Sequence, residues 1–99
     1  MIIYEVNIKI SSPIYKKFNT WLDEHILLMM KHDGFEKFKK YSILSSSESY
    51  KKICVHYYIT SMELFDDYIS KYSYKMRNDS ALEKFKGKFS ITRRILSEI

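Results

Sequence analysis

The sequence predicts an α+β sandwich of order β-α-β-β-α-β: one antiparallel four-stranded sheet with two helices on one face. Three observations lead there. Residues 2–10, I-I-Y-E-V-N-I-K-I, carry an apolar residue at every second position, with polar residues between from Glu5 on. Apolar residues then recur at three- and four-residue spacing between Ser11-Ser12-Pro13 and Gly34. After Ser49 the same succession returns, an alternating run at 50–60 followed by a helical stripe. Period two gives a strand with one buried face, and period 3.6 gives an amphipathic helix.

In the first strand Ile2, Tyr4, Val6, Ile8 and Ile10 share one face, while Ile3, Glu5, Asn7 and Lys9 share the other. Ser12 suits a helix cap and Pro13 the first helical position. The first helix carries Ile14, Phe18, Trp21, Leu22, His25, Leu28 and Met29 as its apolar stripe. Gly34 stops it, in the left-handed conformation that glycine adopts cheaply. Residues 35–46 form the second strand, where Phe38 and Leu44 disagree in phase with Tyr41 and Ile43 and so imply a bulge. S-S-S-E-S at 45–49 is a polar hairpin loop. In the third strand, 50–60, Ile53, Val55, Tyr57 and Ile59 face one way and Cys54, His56, Tyr58 and Thr60 the other.

Thr60-Ser61-Met62-Glu63 reads as a capping box opening a second helix with the stripe Phe65, Tyr68, Ile69, Tyr72 and Met76, interrupted at Asn78-Asp79. Ser80-Ala81-Leu82-Glu83 is a second such box, for a short helix ending at Gly87. Residues 89–98 are the last strand, with Phe89, Ile91, Ile95 and Leu96. Right-handed crossovers place strands one and three in the centre, the ferredoxin-like arrangement. These two have the cleanest apolar faces, as central strands should.

Ninety-nine residues suffice for one core, and 1–99 is expected to be a single domain. With 45% hydrophobic and 16% aromatic residues the chain is too apolar to be disordered. The net charge of +5 comes from basic residues interleaved with acids along the chain, which reads as a solvated surface rather than a nucleic-acid footprint. Cys54 is the only cysteine, so no internal disulfide and no cysteine metal cluster can form. A cytoplasmic location is expected, because no signal-like segment precedes the first strand and no apolar run is long enough to span a bilayer.

The sheet face away from the helices is expected to carry Glu5 and Asn7, then Cys54, His56 and Tyr58, and Arg94 from the last strand. Such a mixed polar and aromatic face implies a second copy, a ligand or nucleic acid against it. RNA-recognition modules share the topology, and I-Y-E-V-N-I superficially resembles their first-strand motif. Adopting that register would bury Glu5 and Asn7 and expose Tyr4, Val6 and Ile8, so nucleic-acid binding is not expected.

M-I-I-Y-E-V-N, the helix with Trp21 and His25, Gly34-Phe35, Val55-x-Tyr57, Leu82-x-x-Phe85-x-x-x-Phe89, Arg77 and Arg93 or Arg94 together resemble the bacterial family called domain of unknown function 4286. The resemblance runs nearly the whole chain. That family is similar in outline to dimeric α+β barrels, in which two ferredoxin-like sheets pack second face to second face. It therefore implies a fold and a homodimer, and no reaction. His56 stands where the family commonly has Gln, which argues against a family-wide catalytic role for it.

The candidate ligand-binding residues are Asn7, His56, Tyr58, Arg94, His25 and Trp21. The first four face the cavity expected between paired sheets, where they would bind a small organic molecule or serve only as interface hydrogen bonds. Asn7 on the first strand is similar to the orienting residues of cofactor-independent monooxygenases of this fold, but the only Trp lies on the helix stripe. His25, beside Trp21, is expected to be a packed histidine bonded to a backbone carbonyl or a tyrosine, with a general base as the other possibility. His25, His32 and His56 do not form a ligand spacing, and no H-E-x-x-H or C-x-x-C occurs, so neither metal nor cofactor is expected. A small cytoplasmic homodimer with a modest ligand cavity between its sheets is the leading expectation, and a non-catalytic interaction module the other.

Overall fold

The computed structural model describes residues 1–44 and 47–99. Its strands are β1 (Ile2–Ser11), β2 (Phe35–Ile43), β3 (Tyr50–Ile59) and β4 (Phe89–Ser97). They form one antiparallel sheet of order β2-β3-β1-β4, with β1 and β3 central as the alternation predicts. The helices are α1 (Tyr15–Met29), α2 (Met62–Lys71) and α3 (Ser73–Arg77), with 3-10 turns at Ser12–Ile14 and Ser80–Phe85. The fold is ferredoxin-like.

The two central registers run without a shift. Tyr4 faces Tyr57 on one side and Ile95 on the other, and Glu5 faces His56 and Arg94. β2 carries a bulge between Phe35 and Lys37, ahead of the stretch whose phases conflict; from Lys37 to Ile43 the register is unbroken, and Phe38 and Tyr41 simply take opposite faces. Beyond the bulge Phe38, Lys40 and Ser42 pair with Tyr57, Val55 and Ile53 on the helix side. Lys40 reaches α1 there, bonding Asn19 and, at 2.7 Å, Asp23. Of the predicted hairpin loop, Ser45 and Ser46 lie outside the described residues, as does the tail of the predicted second strand.

The core lies between the sheet and the helices. Ile2, Tyr4, Ile8, Val55, Tyr57, Phe18, Leu22 and Phe65 are buried together there, as the periodicities require. Val6 is only part-buried, and Ile69 is exposed on the outer side of α2. On α1 the stripe holds Ile26 rather than Leu28. Ile26 lies four residues beyond Leu22 and so on the same side, while Leu28 is about 200° around from Ile26.

The helix starts differ from expectation in ways the hydrogen bonds explain. Ser12 does not cap α1; its hydroxyl donates to the Glu48 carbonyl at 2.6 Å, and the chain enters α1 through the 3-10 turn containing Pro13. The α2 cap is Ser61, not Thr60: Ser61 Oγ accepts from Leu64 N–H, while Thr60 N–H donates to the Gly34 carbonyl. The second helix breaks at Tyr72, before Asn78-Asp79, and the buried Ser73 donates to the Ile69 carbonyl across the break. The turn at Ser80–Phe85 is capped by Asp79, whose Oδ1 accepts from Ala81 N–H; the side chain of Ser80 lies outside the described part. Gly34 has φ +87°, and a Cβ there would sit 2.8 Å from Leu64 Cδ1, so the chain needs glycine at this point on two grounds.

Candidate functional site

The sheet separates the six candidate residues into two groups. Asn7, His56, Tyr58 and Arg94 lie on the open face, and Trp21 and His25 on the helix side.

On the open face the register gathers three donors around one carboxylate. Glu5 is flanked by His56 on β3 and Arg94 on β4, and Asn7 follows two residues along the same face. Its Oε1 accepts from Asn7 Nδ2 at 2.8 Å and Arg94 Nε at 2.5 Å, and its Oε2 lies 2.8 Å from His56 Nε2. Burial alone would push this carboxyl up. The hydrogen bonds from Arg94, Asn7 and His56, with the guanidinium charge, outweigh it and hold the group near 2. Arg94 is raised in turn by its bond to Glu5. The Cys54 thiol, buried beside Glu5, is raised mainly by burial and also by that carboxylate. Tyr58 stands outside this network, under the ammonium groups of Lys37 and Lys39.

Glu5, Cys54 and His56 also bring three kinds of metal donor within 4.8 Å of one another. Linear spacing hides this group, because Glu5 comes from another strand. The donors do not fit a cation as they stand: both Glu5 oxygens are already used, one of them by a guanidinium.

On the open face a shallow groove of about 340 Å³ is lined by Asn7, Lys9, Ile43, Lys52, Ser90 and Thr92, and a more enclosed pocket lies on the helix side. A cavity of about 30 Å³ lies at the sheet–helix seam, lined among others by Tyr4, Trp21, His25, Tyr57, Arg77 and Arg93. The indole of Trp21 stacks on the His25 ring at 4.7 Å, and its Nε1–H donates to Asp79 Oδ2 at 3.2 Å. Arg77 Nη2 donates to the Tyr4 hydroxyl at 3.2 Å. The expectation that His25 is bonded to a carbonyl or a tyrosine is corrected: its buried Nδ1 has no partner. Burial lowers this imidazole to about 4; Asp79 opposes the shift, and Arg93 and His32 add to it. The ring is therefore neutral near pH 7, with one nitrogen open to a guest. Burial also raises the Tyr57 and Tyr68 hydroxyls, which act here as neutral groups.

Sequence reasoning missed Tyr4, Arg93 and Asp79 as parts of one site. Arg93 carried a usable signal, since it falls in the core-facing phase of β4 between Ile91 and Ile95. Asp79 carried none, because a loop residue's distance to Trp21 is not written in local periodicity.

The domain of unknown function 4286 family model matches residues 1–99, and the chain belongs to that family. No curated protein matches the sequence. Several solved structures share the fold. A dimeric ferredoxin-like protein from an uncultured marine organism superposes with a TM-score of 0.73 at 10% identity, covering 99% of this chain and 98% of its own. An ethyl tert-butyl ether d (ethd) family protein from Bacillus halodurans gives 0.66 at 20% identity, with 100% of both chains covered. SnoaB, a cofactor-independent oxygenase from Streptomyces nogalater, gives 0.66 at 9% identity, covering 99% of this chain and 93% of its own.

Proposed function

We propose that this member of the family is a cytoplasmic homodimer, a pair of sheets packed open face to open face, each protomer of which binds a small organic molecule at its sheet–helix seam. The observation that carries the ligand reading is the buried, unpartnered Nδ1 of His25 on the wall of the cavity. A buried polar nitrogen left unpaired costs about 1–3 kcal/mol, and a guest that pairs with it recovers that cost. The stacked Trp21 and the ring of Tyr4 wall the cavity, which admits one small end of such a guest.

Support for the dimer is separate. The open face exposes Tyr41 at 44% and Ile43 at 40% toward one end and carries the part-buried Ile3, Tyr58 and Leu96 at the other, with the Lys39, His56, Glu5 and Arg94 row between. Covering such a face with its own copy is the two-fold solution, and a structural neighbour of matching length is a dimeric ferredoxin-like protein.

Native mass spectrometry of protein purified from its own host tests both parts. The expected result is a dimer carrying a small retained mass that Trp21→Leu loses while remaining dimeric. Since a cofactor-independent oxygenase is among the neighbours, the same preparation should be tested for oxygen uptake with its released ligand. A dimer with no retained mass, and with melting unaltered by its host's small-molecule extract, would favour a non-catalytic interaction module instead. The small volume of the cavity and the fully used Glu5 oxygens are the observations on that side.

A further inference from the structure

We propose that the seam cavity takes a monocarboxylate, its anionic head held between Arg77, Arg93 and Nδ1 of His25. This rests on reading the cavity as a ligand site, and adds the chemical class of the ligand.

Two cationic side chains meet at one cavity with, among the described residues, no carboxylate paired to either. Arg77 and Arg93 both line the cavity. Among the described residues neither has a carboxylate partner: the one bond of Arg77 goes to the neutral Tyr4 hydroxyl, and Arg93 makes none. Arg93 occupies the helix-facing phase of β4, opposite Val6, where the neighbouring positions are Ile91 and Ile95. Both arginines are exposed, so water solvates them and their donors stand free for an anion that enters the cavity. Asp79 bonds the Trp21 indole through Oδ2 and Ala81 N–H through Oδ1, and forms no ion pair with either arginine. Two guanidinium forks with no carboxylate between them suit a planar oxyanion. His25 completes it as the Nδ1–H tautomer, donating to the same head.

Size sets the rest of the ligand. About 30 Å³ has room for a carboxylate-sized group and not for a ring. An open groove of about 350 Å³ shares Arg77 and Leu82 with the cavity. The groove is also lined by Asp79, Glu83 and Lys86, a mixed set that would not favour a second negative charge. The head therefore enters the cavity, and an uncharged body lies along the groove.

Trp21 is the only tryptophan and stacks on His25, so its emission reports occupancy directly. The probes are acetate, benzoate and phenylacetate, the corresponding amides, and inorganic phosphate, titrated at constant ionic strength. The expected result is a saturable change with at least one acid and none with its amide. Arg77→Gln and Arg93→Gln should each weaken that acid tenfold or more, with melting temperatures close to wild type because neither side chain holds an ion pair. Affinity should tighten as pH falls from 7 to 5, through proton uptake by His25, and His25→Gln should remove that trend. Amides binding as well as acids, unaffected by both arginine variants, would overturn the charge assignment and leave the ligand site standing. A response to phosphate alone would overturn the planar head. No response to acids or amides would defeat the carboxylate assignment, and the retained-mass experiment then decides the cavity reading separately.

Discussion

Lowering the pH should destabilise this protein through His25, and replacing that one residue should remove the effect. The imidazole falls from an ordinary value of 6.5 to about 4 in the folded chain. Between those values the unfolded chain holds a proton that the folded chain refuses, so stability rises with pH across the window and is lost as pH falls through it. The groups facing the ring are Asp79, Arg93 and His32, and burial dominates them. The full window corresponds to about 3 kcal/mol, of which about 2 kcal/mol is already lost at pH 5. These are upper figures, since the ring is part-buried rather than sealed. In His25→Gln no proton is taken up at this site, while other titrations remain. Urea unfolding followed by circular dichroism, at one protein concentration, should show the wild-type midpoint falling about 1–2 M further than that of His25→Gln between pH 7 and pH 5. Equal falls in the two proteins would refute the assignment of a neutral, desolvated His25.

Glu5 titrates in a lower window. Its carboxyl is held near 2 against an ordinary 4.5, so its contribution is present above pH 4.5 and lost between there and pH 2. On a face one side chain from solvent, screening reduces this to about 1 kcal/mol, and Glu5→Gln should flatten the acid limb between pH 4.5 and 2. Gly34→Ala should cost well over 1 kcal/mol in chemical denaturation, because its Cβ meets Leu64 at 2.8 and 2.9 Å; Gly87→Ala, also at positive φ but in open space, should cost only about 1 kcal/mol. Tyr58→Glu puts two like charges near the proposed two-fold axis and should yield monomer or unfolded protein by light scattering at micromolar concentration. A stable wild-type monomer of 12.0 kDa, unaffected by that change, would end the barrel assignment.

Where burial repeats with a period, the sequence was readable. The β1 alternation placed Ile2, Tyr4 and Ile8 inward and Glu5 and Asn7 outward, and with β3 and β4 in register this also put Glu5 beside Arg94. The same rule applied to β4 puts Arg93 inward, but a charged residue in an apolar phase is easily passed over as a surface residue. What period cannot show is which atoms remain unpaired. His25 was expected to find a carbonyl or a tyrosine, as most packed histidines do. That it does not depends on where Tyr4, Tyr57 and Asp79 end up, which is set by strand register and by the loop after α3. The caps moved as well: the Ser12 hydroxyl is turned to the Glu48 carbonyl by a contact 36 residues away, and the neighbour of Thr60, Ser61, takes the cap.

The two polar clusters lie back to back and share two strands. Tyr4 and Glu5 are neighbours on β1, as are Arg93 and Arg94 on β4, so in each pair one residue serves the cavity and the other the open face. Their hydrogen bonding differs in kind. Around Glu5 every carboxylate oxygen is used, and such a closed network can be covered by a partner sheet without stranding a polar group. Around His25 the network is open, with an unpaired Nδ1 and an unpaired guanidinium at the same cavity. The closed side is therefore suited to assembly and the open side to a guest. β4 joins the two roles, because it is an edge strand held on one side only, by β1. A one-residue slip there would exchange Arg93 for Arg94 and destroy both arrangements at once. The Glu5–Arg94 pair lies at the middle of that register, and a partner sheet closing over it would fix β4 in place. By this route assembly on one face would position the arginine that the other face offers to its ligand.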